Sequence, residues 1–499
     1  MLRLCRFLVV AAVLTITGSA GADPLTDKLS QVLSFTTAHN GINGVVVERL
    51  SDKHIVFTQN PDLRLMPASN RKLFTSATGL ETLGDSWQPE TDILATAHPD
   101  AQGVLLGDLI VKGGGDSTLT VDDYTAIAKQ LAAMGIKSIQ GDLIADDTLF
   151  TDGPYGAEWG WDYLSDDYAP QISALEVNRG VVTVRVDPGS SPGDPVTFTL
   201  TPPIPFMEVH NSATTAAPKL ADSGVAPSDV NSKIIKATPQ VSGAVPGDPP
   251  DSLLVERRWD RNVIDVTGTL PAGKPAQIDI TVADPTRYAI TVFAAILADN
   301  GMTVSGSIKT AKCPAEAIAL LKHQGPKIAD YIKLMNKPSD NLLAESLIRL
   351  VGAARGKGGD YDDGHLVEDQ FLKTLGLDTT RLTLADGCGV SRRDFVTAQS
   401  VANLLVAMHA RPDWKTYYDS LPIAGVDGTL RKRMKGTLAA GNVHAKTGSL
   451  GEVSCLSGYI TSRSGSIYVF SVLNNNYSGS TNDIRKMQDR FVEALAAGL

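Results

Sequence analysis

Leu25, Leu29, Val32 and Leu33 recur at the spacing of one helical face, and short β runs over 44–47 and 55–57 follow on either side of a polar turn. The stretch Pro67-Ala68-Ser69-Asn70-Arg71-Lys72-Leu73-Phe74 opens a second helix to about Leu83, with Leu73, Ala77, Leu80 and Leu83 on one face and Gly84 as its stop. From about 95 to 282 the pattern changes to short β runs broken by Gly, Pro, Asp and Ser. Val182, Val184 and Val186 there alternate with Thr183, Arg185 and Asp187. Residues 211–253 are rich in Ala, Pro, Ser and Gly with little periodicity, which predicts loops or a mobile subdomain. Helical patterns return over 288–300, after Asn341 and over 396–410. A β pair over 452–460 and 467–473 follows, then an amphipathic helix carrying Ile484, Met487, Phe491 and Leu495.

Helix and strands at both ends with a β-rich middle predict one α/β domain, an antiparallel sheet flanked by helices, interrupted by an insertion. The expected division is 23–95 and 283–499 for the two parts of that domain and 96–282 for the insertion, with about 175–258 a candidate subdomain. The first residues change the picture of the start. Arg3 and Arg6 precede an apolar run over 7–16 and small residues ending in Ala20-Gly21-Ala22, which reads as a cleavable secretory signal over 1–22. That run is too short to span a bilayer, so no transmembrane anchor is expected.

Composition narrows the partners. In 499 residues, 45 Lys and Arg against 55 Asp and Glu leave a net charge of −10, without a long basic run, so nucleic acid is an improbable partner. Cys5 leaves with the signal, so Cys313, Cys388 and Cys455 allow at most one disulfide. No C-x-x-C pair or H-E-x-x-H is present, and neither a metal nor another cofactor is expected.

Ser69 and Lys72 lie three apart at a helix start, where a hydroxyl and an amine project from one face. A lysine kept neutral by burial takes the hydroxyl proton as serine attacks a carbonyl. The alternative is a capping serine beside a solvated lysine. Two further segments, Ser339-Asp340-Asn341 ahead of a helical run and Lys446-Thr447-Gly448 ahead of a strand, complete the order S-x-x-K, S-D-N, K-T-G. Taken singly they read as a local turn and an exposed strand start.

With the context Met335-Asn336-Lys337-Pro338, Ala344-Glu345-Ser346-Leu347, Asp386-Gly387-Cys388-Gly389 and Leu456-Ser457-Gly458-Tyr459, the chain resembles the D-alanyl-D-alanine carboxypeptidase/endopeptidase family of low-molecular-mass penicillin-binding proteins, the type-4 or DacB-like group. The resemblance implies a serine transpeptidase/β-lactamase-like domain, and an insertion of one or two domains that fills the long interval between Ser69 and Ser339. It implies Ser69 as acylated nucleophile, Lys72 as its base and Ser339 as proton relay to the leaving amine. Asn341 would hold a substrate amide, Lys446 would add positive potential, and Thr447 would bind the terminal carboxylate of a D-Ala-D-Ala stem. Gly448 would let a substrate strand approach, and the N–H groups of Ser69 and Ser449 would form the oxyanion hole.

The implied partners are peptidoglycan stem peptides, with β-lactams as covalent inhibitors, in the periplasm. Asp146 and Arg392 are the implied readers of the stem's diamino acid; Asp147 and Arg393 leave the register open by one, and a turn residue and a surface arginine are the alternatives. Cys388 stands where relatives commonly carry serine, as a buried filler or an oxidation-sensitive thiol. His444, expected to face away from Lys446, is read as structural. Gly268 to Lys274 lacks the Ser/Thr of a P-loop, and Gly113-Gly114-Gly115-Asp116 reads as a turn. The rival functions are a β-lactamase or esterase using the same residues, and a wall-binding protein with a vestigial site.

Overall fold

A computed structural model describes residues 24–217 and 253–498; the signal segment and most of the Ala/Pro-rich stretch lie outside them. The first layer is a five-stranded antiparallel sheet in the order His444–Leu450, Val453–Thr461, Ile467–Asn475, Ile42–Arg49, His54–Gln59. Its inner strands are buried on both faces because helices cover each side. On one face the first helix, Pro24–Ala38, and the last, Thr481–Ala497, pack Leu29, Leu33, Ile484, Met487 and Phe491 against Val45, Val47, Leu456 and Phe470. On the other face Lys72–Leu83, Ile328–Asn336, Asn341–Arg355 and Ala398–His409 bury Leu73, Phe74, Met335, Leu347 and Leu405 against Val46, Cys455 and Leu473. Gly84 ends the second helix at φ +83, as its position predicts.

The chain between these parts builds a second layer, whose five-stranded sheet has the order Ile308–Thr310, Leu143–Asp146, Leu109–Lys112, Glu90–Ala95, Ile318–Gln324. Three three-stranded sheets and a two-stranded one, among the described residues, add the β content expected there. The expected boundaries are corrected at both ends. The strand Glu90–Ala95 pairs inside this second sheet, and the helix Pro285–Asp299, expected to open the second catalytic part, buries Tyr288, Phe293 and Leu297 in the core of Ile93, Val111 and Leu143. A helix over Val121–Ala133 interrupts the expected β pattern. It buries Tyr124, Ile127, Ala128 and Leu131 behind a capping box in which Thr120 and Asp123 each bond the other's backbone N–H.

Among the described residues no helix is long and apolar enough to cross a membrane. Cys313, Cys388 and Cys455 are all free thiols.

Candidate active site

Ser69 sits in a 3-10 turn, Ala68–Arg71, that runs directly into the helix Lys72–Leu83. Asn70 ties the turn to the sheet by donating to Ser457 Oγ at 2.7 Å. No side chain caps either element, so the capping reading of Ser69 gives way. Its hydroxyl faces Lys72 Nζ at 3.2 Å instead. The amine also donates to Asn341 Oδ1 at 2.6 Å and to the carbonyl of Cys388 at 2.7 Å. A neutral amine has two N–H groups and one lone pair. With both hydrogens spent on Asn341 and Cys388, the lone pair is left for the Ser69 hydroxyl. Burial drives the Lys72 pKa below its ordinary value, against the raising influence of Asp386, Asp340 and Glu345 nearby.

The second amine, Lys446, donates to Ser339 Oγ at 2.8 Å and to the carbonyl of Thr447 at 2.9 Å. Burial first, and then the neighbouring charge of Lys72, push its pKa well below the ordinary lysine range. A charge on either amine disfavours a charge on the other. Ser339 holds its hydroxyl there from a left-handed backbone, φ +69. The next residue, Asp340, caps the helix Asn341–Arg355 by accepting from Leu343 N–H at 3.0 Å, and Arg179 of the insertion pairs with its carboxylate. Asn341 Nδ2 donates to the carbonyl of Tyr168 at 2.7 Å, which turns Oδ1 toward Lys72 and leaves one N–H for a substrate amide.

Lys446-Thr447-Gly448 lies within the edge strand His444–Leu450 rather than ahead of a strand. Ala445 N–H points away from the sheet, to Pro422 O at 2.9 Å, so the two-residue period turns the N–H groups of Thr447 and Ser449 to the same open edge. A Cβ on Gly448 would come within 2.5 Å of Pro67 O and 3.1 Å of Ser69 N. The close approach that Gly448 permits within the protein is that of the turn holding Ser69. Ser69 N thereby lies against the strand that carries Ser449 N–H.

Behind Lys72, Asp386 folds its loop by accepting from the N–H groups of Cys388 at 3.0 Å, Gly389 at 2.5 Å and Ser391 at 2.7 Å, and from the Trp159 indole at 3.0 Å. Burial would raise its pKa, but these bonds and one to Asp394 hold it below the ordinary value. Asp394 is pushed far above the ordinary carboxylate range by burial and by the charge of Asp386. Cys388 is fully buried and its thiol pKa is pushed well up by burial, an inert filler. Glu345, Asp386 and Cys388 cluster within 4.8 Å, but Glu345 is spent on Gly387 N–H and Arg349 and Asp386 on its loop, which leaves no donor set for a cation.

Arg71, between Ser69 and Lys72 in sequence, points away from both. It forms a fork with Glu368, 2.7 Å at each contact, with both side chains 0% exposed, and donates to Asp386 O at 2.7 Å. Glu368→Ala leaves that guanidinium buried and unpaired. The expected loss is about 3–5 kcal/mol of stability in chemical denaturation.

Neither Asp146 nor Arg392 is hydrogen-bonded to Ser69, Lys72, Ser339 or Lys446, and His444 turns otherwise than expected. Asp146 is 2% exposed and accepts from Thr148 N–H at 2.9 Å and Cys313 N–H at 2.8 Å, so it is a turn residue inside the insertion's sheet. Arg392 is exposed and donates weakly, at 3.4 Å, to Gly451 O just past the edge strand, while Arg393 pairs with Glu158. His444 shares Lys446's strand face, correcting its expected orientation, and is occupied by ring stacking on Tyr418 at 3.8 Å. Sequence reasoning missed Tyr168, Arg179 and Trp159, because a carbonyl, a surface arginine and an indole carry no local pattern.

A family model described as D-Ala-D-Ala carboxypeptidase 3 (S13) matches residues 25–248 and 227–497. The chain is 33% identical over 470 residues to a D-alanyl-D-alanine carboxypeptidase of an Actinomadura species, a match spanning 91% of this chain and 81% of the relative. It is 27% identical over 454 residues to the D-alanyl-D-alanine carboxypeptidase DacB of Haemophilus influenzae, covering 90% and 88%. The crystal structure of penicillin binding protein 4 from that organism superposes with a TM-score of 0.79 at 26% identity over 94% of this chain and 98% of the other. The same protein complexed with a β-lactam gives 0.74, over 93% and 98%.

Proposed function

The chain belongs to the S13 family of D-Ala-D-Ala carboxypeptidases, and from that premise we propose that Ser69 is the residue it acylates and Lys72 the base that activates it. The protein is a serine D-Ala-D-Ala carboxypeptidase acting on peptidoglycan stem peptides. The observation that carries the site reading is the pair of amine–hydroxyl contacts, Lys72 with Ser69 and Lys446 with Ser339, beside one open strand edge.

Neutral Lys72 accepts the Ser69 proton as Oγ attacks the penultimate D-Ala carbonyl. The N–H groups of Ser69 and Ser449 receive the oxyanion, a contribution of about 2.7–4 kcal/mol per donor in other hydrolases. A substrate carboxylate near Thr447 favours the charged form of Lys446, and that charge in turn favours neutral Lys72 when it is needed as a base. Ser339 passes a proton to the departing amine, and water releases the acyl group. Cleavage of cross-linked D-amino-acid bonds needs no further group, and the N-terminal signal pattern supports a periplasmic setting.

The test is intact-protein mass after incubation with benzylpenicillin, followed over time. The expected result is a long-lived covalent adduct. No adduct would point to a vestigial, wall-binding site, and one lost within seconds to a β-lactamase.

A further inference from the structure

Five tryptophans stand in this chain, and three of them, Trp87, Trp159 and Trp414, pack against the core of the first layer. The other two stand in solvent: Trp161 is 76% exposed and Trp259 66% exposed. Tryptophan is on average far more buried than this, so two such indoles on one support call for a partner.

That support is a single guanidinium. Trp161 opens a 3-10 turn, Trp161–Tyr163, which closes with Leu164 N–H donating to Trp161 O. Trp259 lies in the turn between the antiparallel strands Leu254–Arg257 and Val263–Thr267. Arg257, 3% exposed, donates through Nη2 to Leu164 O at 2.7 Å, and through Nη1 to the carbonyls of Arg258 at 2.8 Å and Trp259 at 3.3 Å. Both turns are thus fixed by their own carbonyls to the same buried side chain.

The surroundings select the partner. Each cation in the Trp259 turn has its own acid: Arg258 donates to Asp265 at 2.9 and 3.0 Å, and Arg261 donates through Nε to Asp260 at 3.0 Å. These compensated pairs offer no surplus positive charge to a phosphate or an anionic headgroup. They also separate the indoles, so there is no continuous apolar patch of the kind that forms the centre of a protein interface. Flat apolar faces edged by planar hydrogen-bonding groups suit a sugar ring, which carries C–H groups on its faces and hydroxyls around its rim. The surface is continuous with the site: the segment that carries Trp161 also sends Trp159 to Asp386, at 3.0 Å, and the Tyr168 carbonyl to Asn341, at 2.7 Å. A stem of five residues spans about 18 Å, so the sugar bearing a bound stem stays near this segment.

Building on the carboxypeptidase reading, we infer that Trp161 and Trp259 form a stacking platform for the sugar strand from which the stem peptides hang. The platform holds the polymer while Ser69 works on its stems, and a free peptide, which has no sugar, gains nothing from it.

The test titrates glycan strands, stripped of their peptides by an amidase, into the full chain and follows binding by calorimetry. The unmutated protein is expected to bind them. Trp161→Ala and Trp259→Ala each weaken binding about two- to tenfold, and the double variant weakens it more than either. Trp259→Phe, which keeps an aromatic face, retains part of the affinity. In turnover, the double variant raises KM for intact sacculi about tenfold relative to its KM for diacetyl-L-lysyl-D-Ala-D-Ala, and benzylpenicillin acylation reports whether its fold is intact. No binding by the unmutated protein, binding that neither substitution weakens, or an equal rise of KM on both substrates overturns the platform. Binding to phosphatidylglycerol vesicles in place of the glycan, lost with the indoles, overturns it in favour of a membrane contact. If the unmutated protein binds the strands but neither cleaves the peptide nor takes up benzylpenicillin, the carboxypeptidase reading falls and the platform stands.

Discussion

Ser69→Ala is expected to remove turnover of a D-Ala-D-Ala peptide, with kcat falling on the order of a millionfold. The substitution deletes the atom proposed to be acylated while leaving the site standing: the turn is anchored through Asn70 to Ser457, and Lys72 keeps Asn341 and the Cys388 carbonyl as partners. Thermal melting should be nearly unchanged, because one half-buried hydroxyl is lost and no buried partner is stranded. The measurement is D-Ala release in single-turnover assays. Residual turnover above a hundredth of the unmutated rate would show that another nucleophile does the work.

Lys72→Ala is expected to cost about 10²–10⁴ in the acylation rate, the usual worth of a positioned base. Its pH dependence gives a sharper readout. A base works when it has lost its proton, so kcat/KM rises with pH through the Lys72 pKa. Burial favours the uncharged amine, which moves that rise below the ordinary 10.5. The rising limb should therefore fall below the usual lysine range in the unmutated protein and vanish in the variant. A limb that survives in Lys72→Ala would assign the titration to Lys446 or to another group.

Much of the site was legible before any fold was known, because its chemistry is written in short runs: hydroxyl and amine one helical turn apart, a serine ahead of a helix cap, a lysine two residues from a glycine. What those runs do not carry is who supports them. Helical spacing over 288–300 identifies an apolar face but not the sheet that covers it, and the insertion's strands claimed that face. Alternation predicts β structure across the insertion, yet Thr120 and Asp123 close a capping box that starts a helix there. Asp146 is a strand-end aspartate whose turn bonds consume it, and only the pairing of Leu143–Asp146 with its neighbours shows that it is buried. Gly448 was recognised as a place of close approach, but which backbone approaches is a tertiary fact.

The clasp on Asp340 and Asn341 also bears on modularity. Arg179 and the Tyr168 carbonyl come from the long intervening segment, and each grips one of the two residues that follow strained Ser339. An engineer who spliced that segment out to obtain a compact hydrolase would keep every residue proposed as reactive and lose the handles on Asp340 and Asn341, the second of which turns the Asn341 amide toward Lys72. The intervening chain is a working part of the catalytic machine, and transplanting the three motifs onto a shorter scaffold requires a replacement for that grip.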